Sequence, residues 1–207
     1  MPGRFISLEG GEGAGKSTQL RLLAAALRER GLDVVETREP GGSPGAEAIR
    51  RLLLEGEAER WTPEAEALLF AAARADHVAR TIRPALERCA WVLSDRFLDS
   101  SLAYQGGAGG LGVKRVRALH AFGSGGVLPD RSVLLTLSAG EAARRAAGRD
   151  RGASDRIGGR NPDFHAAVAA TFDQLAAAEP DRFRRVESSG APEVVAARVL
   201  GAIEDLL

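Results

Sequence analysis

Lysine is nearly absent from this chain. Lys16 and Lys114 are the only two among 28 basic residues in 207, so arginine carries almost all the positive charge. That scarcity excludes one class of nucleotide switch. A guanine-reading Asn-Lys-x-Asp needs aspartate two residues after a lysine, and those two positions hold Thr18 and Val116. Cysteine is scarcer still: Cys89 stands alone, which rules out an internal disulfide and a thiolate metal cluster. It reads as a small buried residue. No charged segment followed by an apolar stretch opens the chain, and no apolar run approaches the ~20 residues of a membrane-spanning helix. A cytoplasmic location is therefore expected. Net charge is missing too, because 28 acidic residues balance the basic ones. That balance argues against broad binding to nucleic acid or to an anionic membrane. No repeat and no linker divides the sequence, so one α/β domain over residues 1–207 is expected.

What is present is concentrated near the start. Gly10-Gly11-Glu12-Gly13-Ala14-Gly15-Lys16-Ser17 fits G-x-x-x-x-G-K-[ST] at every required position. An apolar strand-like run, Phe5–Glu9, precedes it, and a segment of helical periodicity begins at Ser17-Thr18. Glycines let successive backbone N–H groups turn toward a polyphosphate, and the helix N-terminus adds its dipole. Lys16 can reach the β- and γ-phosphates and the Ser17 hydroxyl can sit on Mg2+. The competing view, a glycine-rich turn with a chance Lys-Ser, lacks an account of the strand–loop–helix context. The chain is expected to bind a nucleoside triphosphate.

Further strands are expected at 33–37, 90–94, 132–137 and 183–186, and helices at about 17–30, 45–55, 63–88, 113–122, 139–148, 163–178 and 192–206. Such alternation implies a parallel sheet covered on both faces, with ligands beyond the carboxyl ends of the strands. Glycine-rich stretches at 106–112 and 123–126 read as mobile loops. Thr62 and Pro63 start a long helix that Pro84 interrupts. Phe70 and Arg74, four apart, share a face of it. They suit the wall of a base pocket, although spacing alone favours a core phenylalanine and a solvated arginine.

Three polar segments follow strands. Arg38-Glu39-Pro40-Gly41-Gly42 sets a rigid bend that presents Arg38 and Glu39 to the crevice, or else is a tight turn with solvated charges. Asp95-Arg96 closes the third strand, where an acidic residue beside a phosphate loop holds hydrated Mg2+ and the arginine points at a second phosphate. A surface ion pair is the other account of it. Ser100, Ser101, Tyr104 and Gln105 supply hydroxyls and an amide suited to a base and sugar. The stretch from Glu141 to Arg156 runs from helix into an Arg- and Gly-rich loop. Composition leaves it balanced between a solvated loop and a lid whose arginines meet a transferring phosphoryl group.

Together these segments resemble the bacterial thymidylate kinases, from Phe5 to about Phe172. The likeness rests on residues 9–18, Arg-Glu-Pro-Gly-Gly (38–42), Leu-Phe-Ala-Ala-x-Arg (69–74), Ile-Arg-Pro-Ala-Leu (82–86) and Asp-Arg-x-x-x-Ser-Ser-x-Ala-Tyr-Gln-Gly (95–106). The resemblance implies a phosphate-loop nucleoside monophosphate kinase fold, with a five-stranded parallel sheet, helices on both faces and a short Arg-rich lid at about 145–162. It implies transfer of the ATP γ-phosphate to dTMP with Mg2+. By the same resemblance Gly10, Gly11, Glu12, Gly13, Ala14, Gly15, Lys16, Ser17 and Thr18 bind ATP together with Arg145 and Arg151. Ser17 and Asp95 hold the metal. Glu12 lies near the acceptor's 3′-hydroxyl, and Arg38 and Arg96 approach the dTMP phosphate. Phe70 stacks on thymine and Arg74 bonds its carbonyl edge. Ser101 and Gln105 lie near the base, and Tyr104 lies under the sugar. Lys16, Arg96, Glu12 and a lid arginine, Arg149 first, carry the catalysis. Homodimers are usual in the family, and the Ala-rich stretch 63–80 offers a face for one or else packs internally. One departure stands out. Where the family continues Asp-Arg-Ile (155–157) with Glu, this chain has Gly158-Gly159-Arg160, so Asp163 becomes the candidate replacement carboxylate. Two rival readings are another monophosphate kinase on the same scaffold and a partner-binding ATPase.

Overall fold

The computed structural model describes residues 2–57, 59–137, 141 and 155–207. Five parallel strands form one sheet: β1 (Phe5–Glu9), β2 (Val34–Arg38), β3 (Trp91–Asp95), β4 (Arg131–Thr136) and β5 (Phe183–Glu187), in the order β2-β3-β1-β4-β5. Every residue of β1 is buried, as expected of a central strand covered on both faces. The registers Leu8↔Asp95, Arg38↔Asp95 and Glu9↔Leu134 bring the carboxyl ends of the first three strands to one edge. The chain turns to one side of β1 for β2 and β3 and to the other for β4 and β5. The strand order therefore reverses beside β1, where such sheets bind ligands.

Alternation along each strand builds two cores. Ile6, Leu8, Trp91, Leu93, Val133 and Leu135 meet Leu20, Leu23 and Leu27 of α1 (Lys16–Glu29) and Val195 and Val199 of α8 (Pro192–Gly201). Phe5, Val92 and Leu134 face the opposite core with Val78, Ile82 and Ala85, Val116 of α6 (Val113–Ser124), and Val168 and Phe172 of α7 (Pro162–Ala178). Helix starts follow the capping rules. Thr62 caps α3 (Pro63–His77), Ser43 caps α2 (Pro44–Leu54) and Asn161 caps α7, each accepting a backbone N–H, with proline next in line.

Several sequence expectations change in detail. The helix expected over 63–88 has three parts: α3, a wider π-turn at Val78–Ile82, and α4 (Arg83–Glu87). The N–H of Arg83 reaches back five residues to the Val78 carbonyl, which widens the helix just ahead of Pro84, the residue that cannot donate and whose ring crowds the turn before it. Cys89 is exposed, not buried, with φ 64°. It occupies the left-handed position that stops α4. Its N–H bonds the Leu86 carbonyl and the N–H of Ala90 bonds that of Ala85, so the chain can enter β3. Residues 98–108, whose end falls in the stretch 106–112 read as a mobile loop, form α5 (Leu98–Ser101) and a π-helical turn, Leu102–Ala108. Gly106 and Gly107 therefore lie in ordered helix. Their glycines allow close packing, since a methyl group on Gly107 would run into the Thr171 side chain of α7. Gly123 likewise sits inside α6, against Ala71 and Ala75 of α3. The helix expected at 139–148 lies almost wholly outside the described residues.

Candidate active site

The phosphate loop leaves β1 and turns directly into α1. Gly10 has φ 138°, and a Cβ there would stand 2.5 Å from the carbonyl oxygen of Leu135. Gly15, at φ 86°, caps α1. Both positions demand glycine, the first for contact and the second for conformation. Lys16 is buried, and its Nζ donates to the carbonyls of Gly11 (2.8 Å) and Gly10 (3.2 Å). Burial, with the nearby Arg96 charge, pulls its ammonium from 10.5 down to about 8.

Beside the loop, the Ser17 hydroxyl donates to the Asp95 carboxylate at 2.5 Å. Two hard oxygen donors of this kind fit Mg2+, which keeps most of its shell as water and substrate phosphate and takes one or two protein ligands. Among the described residues no group of three or more His, Cys, Asp or Glu is placed to hold a metal ion. Arg96 has φ 70°, a strained backbone for a non-glycine residue. Its guanidinium donates to Glu12 (2.6 Å), the Gly10 carbonyl (3.0 Å), Ser100 Oγ (3.1 Å) and Tyr104 Oη (3.2 Å). It also lies 5.0 Å from the centre of the Tyr104 ring. Burial opposes its charge, but Tyr104, Glu12, Asp95 and Glu9 outweigh that and hold it above the ordinary arginine range. Burial pushes the Tyr104 hydroxyl up to about 12.

Glu9 is the functional residue that sequence reasoning passed over. It is fully buried at the end of β1, accepting from the Phe97 N–H (2.8 Å) and Ser100 Oγ (2.6 Å). It thus fixes the residue after Arg96 and the hydroxyl that Arg96 itself contacts. Burial, with Asp99 nearby, raises its carboxyl to about 7. A carboxylate closing an apolar run was the available signal.

A cleft of about 590 Å3 opens over this edge of the sheet. Glu12, Gly13, Gly15, Lys16, Ser17, Thr18, Asp95 and Arg96 line it at the loop end, and Arg38, Phe70, Arg74, Ser101, Tyr104 and Gln105 complete it. Gly10, Gly11 and Ala14 are not on its wall and shape the loop instead. Arg74 is buried, not solvated. It donates to Glu39 (2.7 Å), to the Phe97 carbonyl (3.2 Å) and to Ser101 Oγ (2.8 Å). Its Nη1 makes no hydrogen bond among the described residues, which leaves a donor for the cleft. Glu39 is not solvated either: its second oxygen meets His77, which bonds Thr37. Burial opposes the Glu39 charge, but Arg74 and His77 pull its carboxyl below the ordinary range. Arg38 stays exposed and pairs with Glu47 at 3.2 Å. The cleft also takes in Arg50 of α2, which donates to the Pro40 carbonyl at 2.6 Å and carried no motif signal.

Arg145, Arg149 and Arg151 lie outside the described residues. Beyond them, Arg160 of the departing Gly-Gly-Arg segment pairs with Glu66 at 2.6 Å. Asp163 is exposed in the first turn of α7 and does not line the cleft.

The cleft is lined by a phosphate loop at one end and by a buried arginine and a phenylalanine at the other, over the carboxyl ends of the strands. On this parallel sheet, it defines a phosphate-loop nucleoside monophosphate kinase. The family model for thymidylate kinase matches residues 8–199. The thymidylate kinase of Rhizorhabdus wittichii is 64% identical over 207 residues, covering 100% of both chains. That of Caulobacter vibrioides is 47% identical over 197 residues, covering 95% of this chain and 94% of the relative. The crystal structure of thymidylate kinase from Ehrlichia chaffeensis superposes with a TM-score of 0.79 at 28% identity, covering 99% of each chain. The chain belongs to the thymidylate kinase family, whose reaction is the phosphorylation of dTMP.

Proposed function

We propose that this chain carries out that reaction as one kinase domain over residues 1–207, using ATP with Mg2+ as donor and the cleft residues in the following roles. The loop from Gly10 to Thr18 holds the triphosphate, with Arg145 and Arg151 closing on the nucleotide from a lid at about 145–162. Ser17 and Asp95 hold the metal, which draws charge from the phosphates when bound. Arg38 and Arg96 bind the acceptor phosphate, and Glu12 sits by the sugar's 3′-hydroxyl. Phe70 stacks on thymine, Arg74 donates to its carbonyl edge, Ser101 and Gln105 flank the base, and Tyr104 lies under the sugar to disfavour a 2′-hydroxyl.

An oxygen of the dTMP phosphate attacks the γ-phosphorus in line, the bond to the β-phosphate oxygen breaks, and ADP leaves. No protein nucleophile is required, because the attacking oxygen is already anionic. Lys16, Arg96 and Arg149 gather charge that spreads over the transferring group. The observation that carries this reading is Arg96. Its guanidinium touches the phosphate loop through the Gly10 carbonyl and the Glu12 side chain and also reaches Ser100 and Tyr104, which line the same cleft.

The chain is further proposed to act in the cytoplasm as a homodimer, with no nucleic acid or membrane partner. In support of a dimer, Phe122 on α6 is 96% exposed and Leu68 on the adjacent α3 is 56% exposed. No helix among the described residues is long and apolar enough to cross a membrane. The test is coupled ADP release with ATP–Mg2+ and a panel of monophosphates. Strong preference for dTMP over dCMP, dGMP and the ribose analogue is expected. Preference for another acceptor would discard the pocket roles, and acceptor-independent phosphate release would point to a partner-binding ATPase.

A further inference from the structure

Glu66 stands in the first turn of α3, where a carboxylate ordinarily serves the helix dipole. Here it is 3% exposed and forms the hub of a buried network. Its Oε2 accepts from Arg156 Nη2 at 2.5 Å and Arg160 Nη2 at 2.6 Å. Its Oε1 accepts from Gln105 Nε2 at 2.9 Å. Two guanidinium groups donate to this carboxylate, and a carboxylate only accepts. Gln105 must therefore turn its NH2 toward Glu66. The amide is planar, so its carbonyl oxygen turns the other way. Gln105 lines the cleft with Phe70 and Arg74, and its Oε1 is neither bonded among the described residues nor sealed from solvent.

We propose that Glu66 is a positioning residue for base selection, which fixes the Gln105 amide so that an acceptor, and not a donor, faces the nucleobase. This rests on the dTMP reading of the cleft. Beside the donor offered by Arg74, an acceptor at Gln105 matches a base edge that presents a ring N–H next to a carbonyl. Thymine and uracil have that edge. Cytosine presents a bare ring nitrogen next to an amino group, so both contacts meet their like. Leaving such groups unpaired in a buried site costs on the order of a 10- to 100-fold loss in kcat/KM.

The test is Glu66→Gln, with kcat and KM measured for dTMP and dCMP in the wild-type and Gln105→Met backgrounds. A glutamine at 66 can offer Gln105 either a donor or an acceptor, so the amide is no longer fixed. The expected result is a roughly 10-fold fall in the dTMP/dCMP ratio of kcat/KM, carried mainly by KM, and no change in that ratio when Gln105 is already methionine. A merely structural role would lower both activities and leave the ratio unmoved, and that result overturns the proposal. So does an equal change of ratio in both backgrounds. Glu66→Asp keeps a carboxylate for the arginines but withdraws it from Gln105. It should lower the ratio too, and it serves where Glu66→Gln does not fold. Wild-type protein that shows no preference for dTMP over dCMP overturns the dTMP reading itself, and the positioning role with it.

Discussion

Replacing Lys16 with methionine separates what the phosphate loop costs the fold from what it contributes to the reaction. The ordinary lysine value of 10.5 falls to about 8 in the folded chain, chiefly through burial. At about 1.4 kcal/mol per pH unit, keeping Lys16 charged costs the folded state roughly 3 kcal/mol below pH 8. Methionine is unbranched and carries no charge, so it removes that cost. It also removes two hydrogen bonds, to Gly10 and Gly11. The Gly10 carbonyl keeps Arg96 as a donor, so the loss centres on Gly11 and is about 1 kcal/mol. The net expectation at pH 7 is a variant about 2 kcal/mol more stable, or roughly 4–8 °C in Tm for a chain of this size.

The sign reverses the usual intuition for a catalytic residue, and pH checks it. Between pH 8 and 10.5 the folded wild type sheds the Lys16 proton while the unfolded chain retains it. Wild-type stability from this group therefore rises with pH in that window. The variant has nothing to titrate there, so its advantage should disappear by about pH 10.5. Urea or thermal melting of both ligand-free proteins at pH 7 and pH 10.5 reads this directly. ADP release by the variant should meanwhile fall on the order of 10^3-fold or more. A variant less stable at pH 7, or an advantage equal at both pH values, refutes the burial argument. Near-normal turnover in the folded variant refutes the assignment of Lys16.

The remaining predictions concern the lid arginines and the assembly. Arg149→Ala should lower kcat on the order of 10^2–10^3-fold with little change in the KM for dTMP, whereas Arg145→Ala and Arg151→Ala should act mainly on the KM for ATP. Equal effects of all three on kcat would remove Arg149 from its special place. Phe122→Glu should convert a dimer into a folded monomer in sedimentation equilibrium, because burying a charge in an apolar interface without a partner opposes association. A wild-type monomer would dismiss the proposed homodimer.

The sheet was legible because its strands are short apolar runs set between helical periods, and the elements agree with the expected ones to within a residue or two at most ends. The phosphate loop was legible because glycine, lysine and serine are required there by backbone geometry and charge, so residue type alone carries the signal. The side chains of Phe70 and Arg74 were not separable by spacing from a core phenylalanine and a solvated arginine. What decides them is Glu39 and Ser101, distant in sequence, which bind the Arg74 guanidinium beneath the cleft. The same limit hid Glu66 and Glu9. Each looked like an ordinary feature of its own element, a helix first turn and a strand end. Its importance comes from partners 39 to 94 residues away. Residues 106–108, the start of an expected mobile loop, were misread for another reason. Glycine is a loop signal by propensity, but Gly107 is there to let α7 approach, and packing overrode propensity.

The costs in this site are coupled. Arg96 holds a left-handed backbone, Glu9 a buried carboxyl raised to about 7, and Lys16 a buried ammonium lowered to about 8. All three lie at or next to the ends of the adjacent strands β1 and β3. Glu9 fixes the backbone on the far side of Arg96 through the Phe97 N–H, and it orients Ser100, which accepts from Arg96. Arg96 in turn is held over the loop by Glu12. The guanidinium is thus aimed before any substrate arrives, and a side chain with rotamer freedom of about 2 kcal/mol has already lost it. On the reading proposed above, the acceptor phosphate competes with Glu12 for Arg96, and the Glu12 carboxylate, which also accepts from Tyr104 Oη, turns toward the sugar's 3′-hydroxyl. One ion-pair exchange then both seats the phosphate and completes the sugar site. This coupling explains why Glu12 belongs in a loop that otherwise needs only backbone N–H groups and one lysine.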